Sequence, residues 1–215
     1  MSGSGRSTVL RGRLSLWAGL IAAVLAAGGV LIAVGLTPGV RGQPPPDAIG
    51  GPFALVGRNG QKVTDRDFPG RWLLTYFGYT HCPDICPTTL ADIGETLKLL
   101  GPLARQVHPL FITIDPERDT PDAVGSFLGA FDDRIIGLTG TPAQIAAVAN
   151  EYHVYYAKSP PSPAEGESYA MDHTAFVYVI GPDGKYLTLF SPLQGQAPQD
   201  MAAKLRGFIA GAPSG

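Results

Sequence analysis

Hydrophobic positions along the chain fall into runs of different period, and the periods predict different elements. Leu14–Leu36 (LSLWAGLIAAVLAAGGVLIAVGL) is 23 residues without a charge. As a helix it would extend roughly 35 Å, enough to cross a hydrocarbon core of about 30 Å. The run is longer than the apolar core of a cleaved secretory signal, and no small-x-small cleavage site follows it before Pro38. An uncleaved transmembrane anchor is therefore expected over 14–36. The next stretch, TPGVRGQPPPDAIGG, is dominated by Gly and Pro, and 37–47 reads as an extended tether. From residue 48 onward the pattern is that of a folded domain.

Within 48–215 short apolar runs alternate with helical spacing. PFALVGRNGQKVT predicts a hairpin about Asn59-Gly60. RWLLTYFGY, 71–79, and VHPLFITID, 107–115, are continuous apolar runs, the pattern of strands buried on both faces. Leu90, Ile93, Leu97 and Leu100 place a helix in 88–104. Thr120-Pro121 and Thr141-Pro142 each read as an N-cap followed by proline at the first helical position. They open helices to Phe131 and to about Tyr152, with a short strand, RIIGLTG, between them. TAFVYVIGPDGKYLTLFS, 174–191, predicts a hairpin about Pro182-Asp183-Gly184, and 198–210 an amphipathic helix. The expected class is α/β, a sandwich with a mixed central sheet. The order of elements resembles the thioredoxin fold.

Charge changes the picture at the N-terminus. Arg6, Arg11, Arg13 and Arg41 all precede residue 42, where there is no acid; the remainder of the chain has 16 − 4 = 12 basic and 18 acidic residues, a net −6. Three arginines before the apolar run and one after it keep residues 1–13 in the cytoplasm and send the domain outward. So short a leader favours a bacterial inner membrane with the domain in the periplasm. An acidic domain without clustered Lys and Arg is not a nucleic-acid binder.

The only two cysteines lie in FGYTHCPDICPTT. This stretch follows a predicted central strand and precedes a helix, the place where ligands collect in open α/β sheets. Because each cysteine precedes a proline, neither is expected to be helical, and Pro87 suits the first helical position. The partial positive charge of that helix terminus favours thiolate at Cys86. Three readings compete for Cys82 and Cys86. A structural disulfide would close too short a loop to constrain the unfolded chain much. A thiol–disulfide pair ordinarily has two intervening residues, whereas this one has three. A metal clip needs a further ligand, and soft thiolates select Cu(I), zinc or iron–sulfur clusters.

Four histidines are available. His81 adjoins Cys82 on extended chain and so points to the other face. His108 opens a buried strand, and His153 ends a helix. His173, in YAMDHTAFVYV, leads into a buried strand beside Asp172, which is an unusual place for core filling. Composition alone leaves it open whether His173 is a ligand.

GYTHCPDICP, ITIDPERDTP and DHTAFVYVIGPDGKY, in that order, resemble the SCO/SenC family of copper proteins over roughly residues 48–212. That resemblance implies a thioredoxin-like fold and a function in assembling the dinuclear copper centre of cytochrome c oxidase. It implies copper ligation by Cys82, Cys86 and His173, with Cu(I) and Cu(II) both as cargo. The implied partners are the copper-accepting oxidase subunit and an upstream periplasmic copper donor. The implied role is that of a carrier and not an enzyme. His173 follows the insert SPPSPAEGES, 159–168, whose composition suggests a loop that lets the histidine move on and off.

Other residues are read from their positions. Asp115 ends a strand at the cysteine edge; it either tunes the site or contacts a partner, or else caps its own turn with Pro116. Asp84, between the cysteines, is expected to be exposed and available to a partner. Phe77 and Tyr79 read as core or pocket wall. The competing function is a membrane-tethered reductase that keeps the oxidase cysteines reduced. Against it, Asp172-His173-Thr174 holds no proline where exchange enzymes place one.

Overall fold

The computed structural model describes residues 49–159, 169–195 and 197–211. The expected span, 14–36, and the tether, 37–47, lie outside them. Among the described residues no helix is long and apolar enough to cross a membrane.

The chain opens with the hairpin β1 (Ala54–Val56) and β2 (Lys62–Thr64), paired antiparallel. Its turn is where Asn59-Gly60 predicts it: the Gly57 amide donates to the Gln61 carbonyl, and Gly60 has φ 75°. The core is a five-stranded sheet made of β3 (Trp72–Gly78), β4 (Val107–Thr113), β5 (Ile136–Leu138), β8 (Val177–Ile180) and β9 (Tyr186–Phe190), in the order β5-β4-β3-β8-β9. β3 pairs parallel with β4 and antiparallel with β8, so the sheet is mixed, as expected. All seven residues of β3 are buried, which accounts for its unbroken apolar run. A separate two-stranded ribbon, β6 (Tyr156–Lys158) with β7 (Met171–His173), lies beside the sheet.

Among the described residues four α-helices complete the layers: α1 (Ile85–Leu100), α2 (Pro121–Leu128), α3 (Pro142–Glu151) and α4 (Pro198–Gly211). Successive β3 side chains point to opposite faces. Trp72 stacks on Phe208 of α4 at 6.1 Å, and the Tyr76 hydroxyl lies against Cys86 of α1. Thr75 and Phe77 instead meet Tyr152, just past α3. The central sheet is thus sandwiched, and every residue of β3 has a layer to pack against.

The helix starts follow the capping chemistry. Thr120 and Thr141 accept from the Ala123 and Gln144 amides, and Gln144 Oε1 in turn accepts from the Thr141 amide. α2 ends at Leu128, short of the expected Phe131, where Gly129 and the turn to Phe131 take over. α3 ends with His153 in the left-handed region, φ 53°, its amide bonded to Asn150 and that of Val154 to Ala149.

Two features depart from the expectation. α1 begins at Ile85, so Cys86 is helical and Pro87 is the third helical residue. The first three helical amides have no intrahelical acceptor, so proline there removes no hydrogen bond. The second is the β6–β7 ribbon, in which His173 ends a strand and is not on a free loop. The ribbon is two three-residue pieces without β-branched enrichment, paired by residues far apart in sequence, and neither piece announces a strand. Of the insert 159–168, residues 160–168 lie outside the described residues.

Candidate metal centre

Sheet topology brings the site together. β3 and β4 are parallel and in register from Trp72↔Val107 to Gly78↔Thr113, so their C-terminal ends lie side by side. The cysteine loop leaves one end and the Asp115 turn leaves the other. β8 runs antiparallel to β3, which puts the start of β8, and the chain before it, at that same end. His173 therefore arrives opposite residues 87 to 91 positions earlier in sequence without being near them in the chain.

The donor atoms of Cys82, Cys86 and His173 all lie within 4.8 Å of one another, and no other such group of three or more occurs among the described residues. Cys86 Sγ is 3.8 Å from His173 Nε2. His173 Nδ1 is 3.0 Å from the Thr174 carbonyl oxygen, which can only accept, so Nδ1–H donates to it and Nε2 is the ring nitrogen that faces the sulfurs. Both cysteines are free thiols and both are buried, Cys86 completely.

The two sulfurs differ in environment. Cys82 Sγ accepts from the Cys86 amide at 3.4 Å and acts as the cap of α1, since the Asp84 side chain makes no capping bond. The Cys86 thiol, opposed by burial but assisted by His173 and by the amides of Cys86 and Asp84, holds the Cys82 thiol down to about 4. Cys86 is pushed up, first by its hydrogen bond to the Cys82 thiolate and then by burial. Cys82 is thus the thiolate and Cys86 the buried thiol that supports it. The helix terminus is expected to favour thiolate at Cys86; the free amide of Cys86 at the head of α1 instead donates to Cys82 Sγ.

The surroundings hold these atoms in place. Tyr76 donates its hydroxyl to Cys86 Sγ at 3.5 Å, and burial pushes the Tyr76 pKa up, so the hydroxyl keeps its proton. The His173 ring meets Tyr76 and Tyr79 edge-on, at 6.5 and 5.9 Å. Gly78 leaves room for the sulfur: a Cβ there would lie 2.8 Å from Cys86 Sγ and 2.9 Å from Phe111. Asp119, wholly buried, accepts from the Thr80 amide at 3.0 Å and from the Thr80 and Thr113 hydroxyls at 2.5 Å each, fixing the chain two residues before Cys82.

The remaining residues singled out in the sequence fall as follows. The His81 side chain is half exposed, with Nδ1 near Thr80 Oγ1, away from the three donors. His108 packs on Phe68, and His153 caps α3. Asp84 is exposed at the head of α1. The Asp115 carboxylate is buried and does not cap its own turn; it accepts from Tyr169 Oη at 2.8 Å and pairs with Arg118. Phe77 faces Tyr152 and Tyr178, away from the sulfurs, whereas Tyr79 walls the histidine. Sequence reasoning did not single out Tyr76, Gly78, Arg118, Asp119 or Tyr169. Arg118 and Asp119 sit in the quoted ITIDPERDTP block, where a charged pair in an otherwise apolar edge was the available signal. Tyr169 carried none.

Two sulfurs and an imidazole at this spacing form a soft, three-donor set. A sequence model described as SCO1/SenC matches residues 41–210. The chain belongs to the SCO1/SenC family. This SCO1/SenC chain is 47% identical over 165 residues to the protein SCO1 homolog, mitochondrial, of Mus musculus, covering 75% of this chain and 57% of that protein. It thus spans little more than half the length of that curated relative. Among solved structures it resembles Bradyrhizobium japonicum ScoI with copper bound, at 45% identity and TM-score 0.67, over 74% of this chain and 98% of that one. It also resembles yeast Sco1 with copper bound, at 32% identity and TM-score 0.69, over 77% and 91%.

Proposed function

We propose that this chain is a membrane-anchored copper carrier that hands copper to the dinuclear copper centre of cytochrome c oxidase during assembly. The observation that carries the reading is the convergence of Cys82, Cys86 and His173, whose donor atoms lie within 4.8 Å. The Cys82 thiolate, with Cys86 losing its proton on binding, gives two sulfurs for Cu(I). The Nε2 lone pair adds the harder donor that Cu(II) accepts. Three protein donors leave a position for an incoming ligand, so a recipient can engage the metal before the donor lets go. The copper-bound relatives support the choice of metal. The recipient is then the copper-accepting oxidase subunit, loaded in turn from an upstream donor. The apolar run 14–36 and the arginines flanking it support anchoring in a bacterial inner membrane, with 37–47 as tether and 48–215 in the periplasm.

A thiol–disulfide role is favoured by one observation: two free cysteines lie four residues apart, and the Cys86 amide donates to Cys82 Sγ at 3.4 Å, which favours a nucleophilic thiolate there. The two readings separate in one experiment. The full chain in detergent, thiols reduced, is titrated with Cu(I) and with Cu(II), following copper per chain and the thiolate-to-Cu(II) charge-transfer band, alongside His173→Ala. The carrier reading expects one tightly held copper per chain and a Cu(II) band lost or shifted in the variant. Absence of specific copper binding, with rapid reduction of a disulfide peptide, would establish the reductase instead.

A further inference from the structure

His173 is delivered by a short two-stranded ribbon that lies outside the central sheet. β7 is three residues long and pairs with β6, outside the central sheet. A two-stranded ribbon is marginally stable alone in water. The loop end of this one, where Lys158 pairs with Met171, is tied to the turn after β4. Tyr169, two residues before β7, donates its hydroxyl to Asp115 Oδ1 at 2.8 Å. The Arg118 guanidinium lies 3.7 Å from the Tyr169 ring centroid, its Nη1 donates to the Tyr169 carbonyl at 3.0 Å, and its Nε pairs with the Asp115 carboxylate. The same guanidinium lies over Tyr79 at 5.8 Å, and Tyr79 is the ring that meets His173 edge-on.

The contacts are unequal in weight. Lys158 pairs with Glu117 at 2.7 Å, but both side chains are about half exposed, so water and salt screen the pair. In the Arg118–Asp115 pair the side chains are 18% and 1% exposed, and losing either partner strands a charge away from water. Asp115 is in turn on the chain segment that leaves β4 beside the cysteine loop. A single part-buried network, anchored on the buried Asp115, therefore links the sheet end bearing both sulfurs to the ribbon bearing the imidazole.

We propose that Arg118 and Tyr169, gripping Asp115, are positioning residues for His173. They hold the ribbon so that Nε2 stays within reach of the two sulfurs, which selects the three-donor arrangement that takes Cu(II) over a two-sulfur arrangement that suffices for Cu(I). This rests on the copper reading above, so its test includes a readout that needs no metal. Arg118→Lys keeps the charge and loses the fork; Tyr169→Phe keeps the ring and loses the bond to Asp115. In the full chain in detergent, metal-free, amide hydrogen exchange at Lys158, Met171 and His173 is expected to speed up about tenfold in each variant, the worth of one charge-assisted hydrogen bond. Exchange at Tyr76 and Ile112 of the central sheet is expected to stay as in the parent. With copper added, Cu(I) stoichiometry is expected to hold, while the Cu(II) charge-transfer band shifts and Cu(II) dissociates about tenfold faster. Ribbon exchange equal to the parent's overturns the inference. So does faster exchange spread evenly over the domain with an unaltered Cu(II) band. A parent protein that binds no copper overturns the copper reading, and the exchange comparison still decides whether the clasp exists.

Discussion

Cys82 and Cys86 are four residues apart and chemically unlike. Cys82 collects the amides at the head of α1 and the proton of its neighbour, whereas Cys86 is walled by Tyr76, Gly78 and Phe111. The asymmetry has a consequence for stability. The Cys82 pKa is lower in the fold than its ordinary 9.0, so between about 4 and 9 the unfolded chain holds a proton there that the native chain does not. Stability from Cys82 is then full above about 9 and is lost as pH falls through about 4. Cys86 has the opposite sign: its raised value adds stability below the ordinary thiol range and withdraws it as pH rises above. The reduced, metal-free protein is expected to gain urea resistance from about pH 5 to about pH 8, and Cys82→Ser to gain less. Equal pH dependence in the two would mean that Cys82 is not the thiolate.

Elements matter here for what they let approach. β3 can bring Cys86 against its backbone because residue 78 has no Cβ. Gly78→Ala would place a methyl 2.8 Å from Sγ and 2.9 Å from a Phe111 ring carbon, with Tyr76 at 3.2 Å, so something must shift. Overpacking of this kind costs about 1–3 kcal/mol, and the shift would displace a donor atom. The expected result is a lower urea midpoint together with weaker copper binding; an unchanged midpoint and unchanged binding would show that α1 moves away at no cost. The elements also show what local sequence can state. The buried strands, the threonine-capped helices and the Asn59-Gly60 hairpin are local, and each was legible from period or turn chemistry. The start of α1 was not, because a sulfur from Cys82 supplies the cap that the Asp84 side chain does not. The β6–β7 ribbon was not, because three-residue pieces show no period and their partners lie on the far side of a long connection.

For the whole molecule, the site lies where three chain segments meet at one end of the sheet, and a ligand that joins them should act on the fold as a staple. Anything that binds only the native state raises stability by mass action: free Cu(I) at about 1,000 times its dissociation constant adds about 4 kcal/mol. The reduced protein is expected to melt well above its metal-free form, and His173→Ala to keep most of the gain with Cu(I) but less with Cu(II). A melting temperature indifferent to copper would argue against a native-state site built from separate segments.

The sequence by itself determined the α/β class, the elements with a clear period, the hairpin and helix starts with local chemistry, and the residue types able to bind a soft metal. These are properties of neighbours in the chain, and periodicity, capping and turn preference act over a few residues. The motif resemblance went further and pointed to Cys82, Cys86 and His173 together. Only the tertiary structure decided which sulfur carries the charge, why residue 78 is glycine, and how Asp119, Asp115, Arg118 and Tyr169 brace the site. A thiol's pKa, a close approach and a buried ion pair depend on groups that the parallel β3–β4 register and the antiparallel β8 bring together from distant parts of the chain.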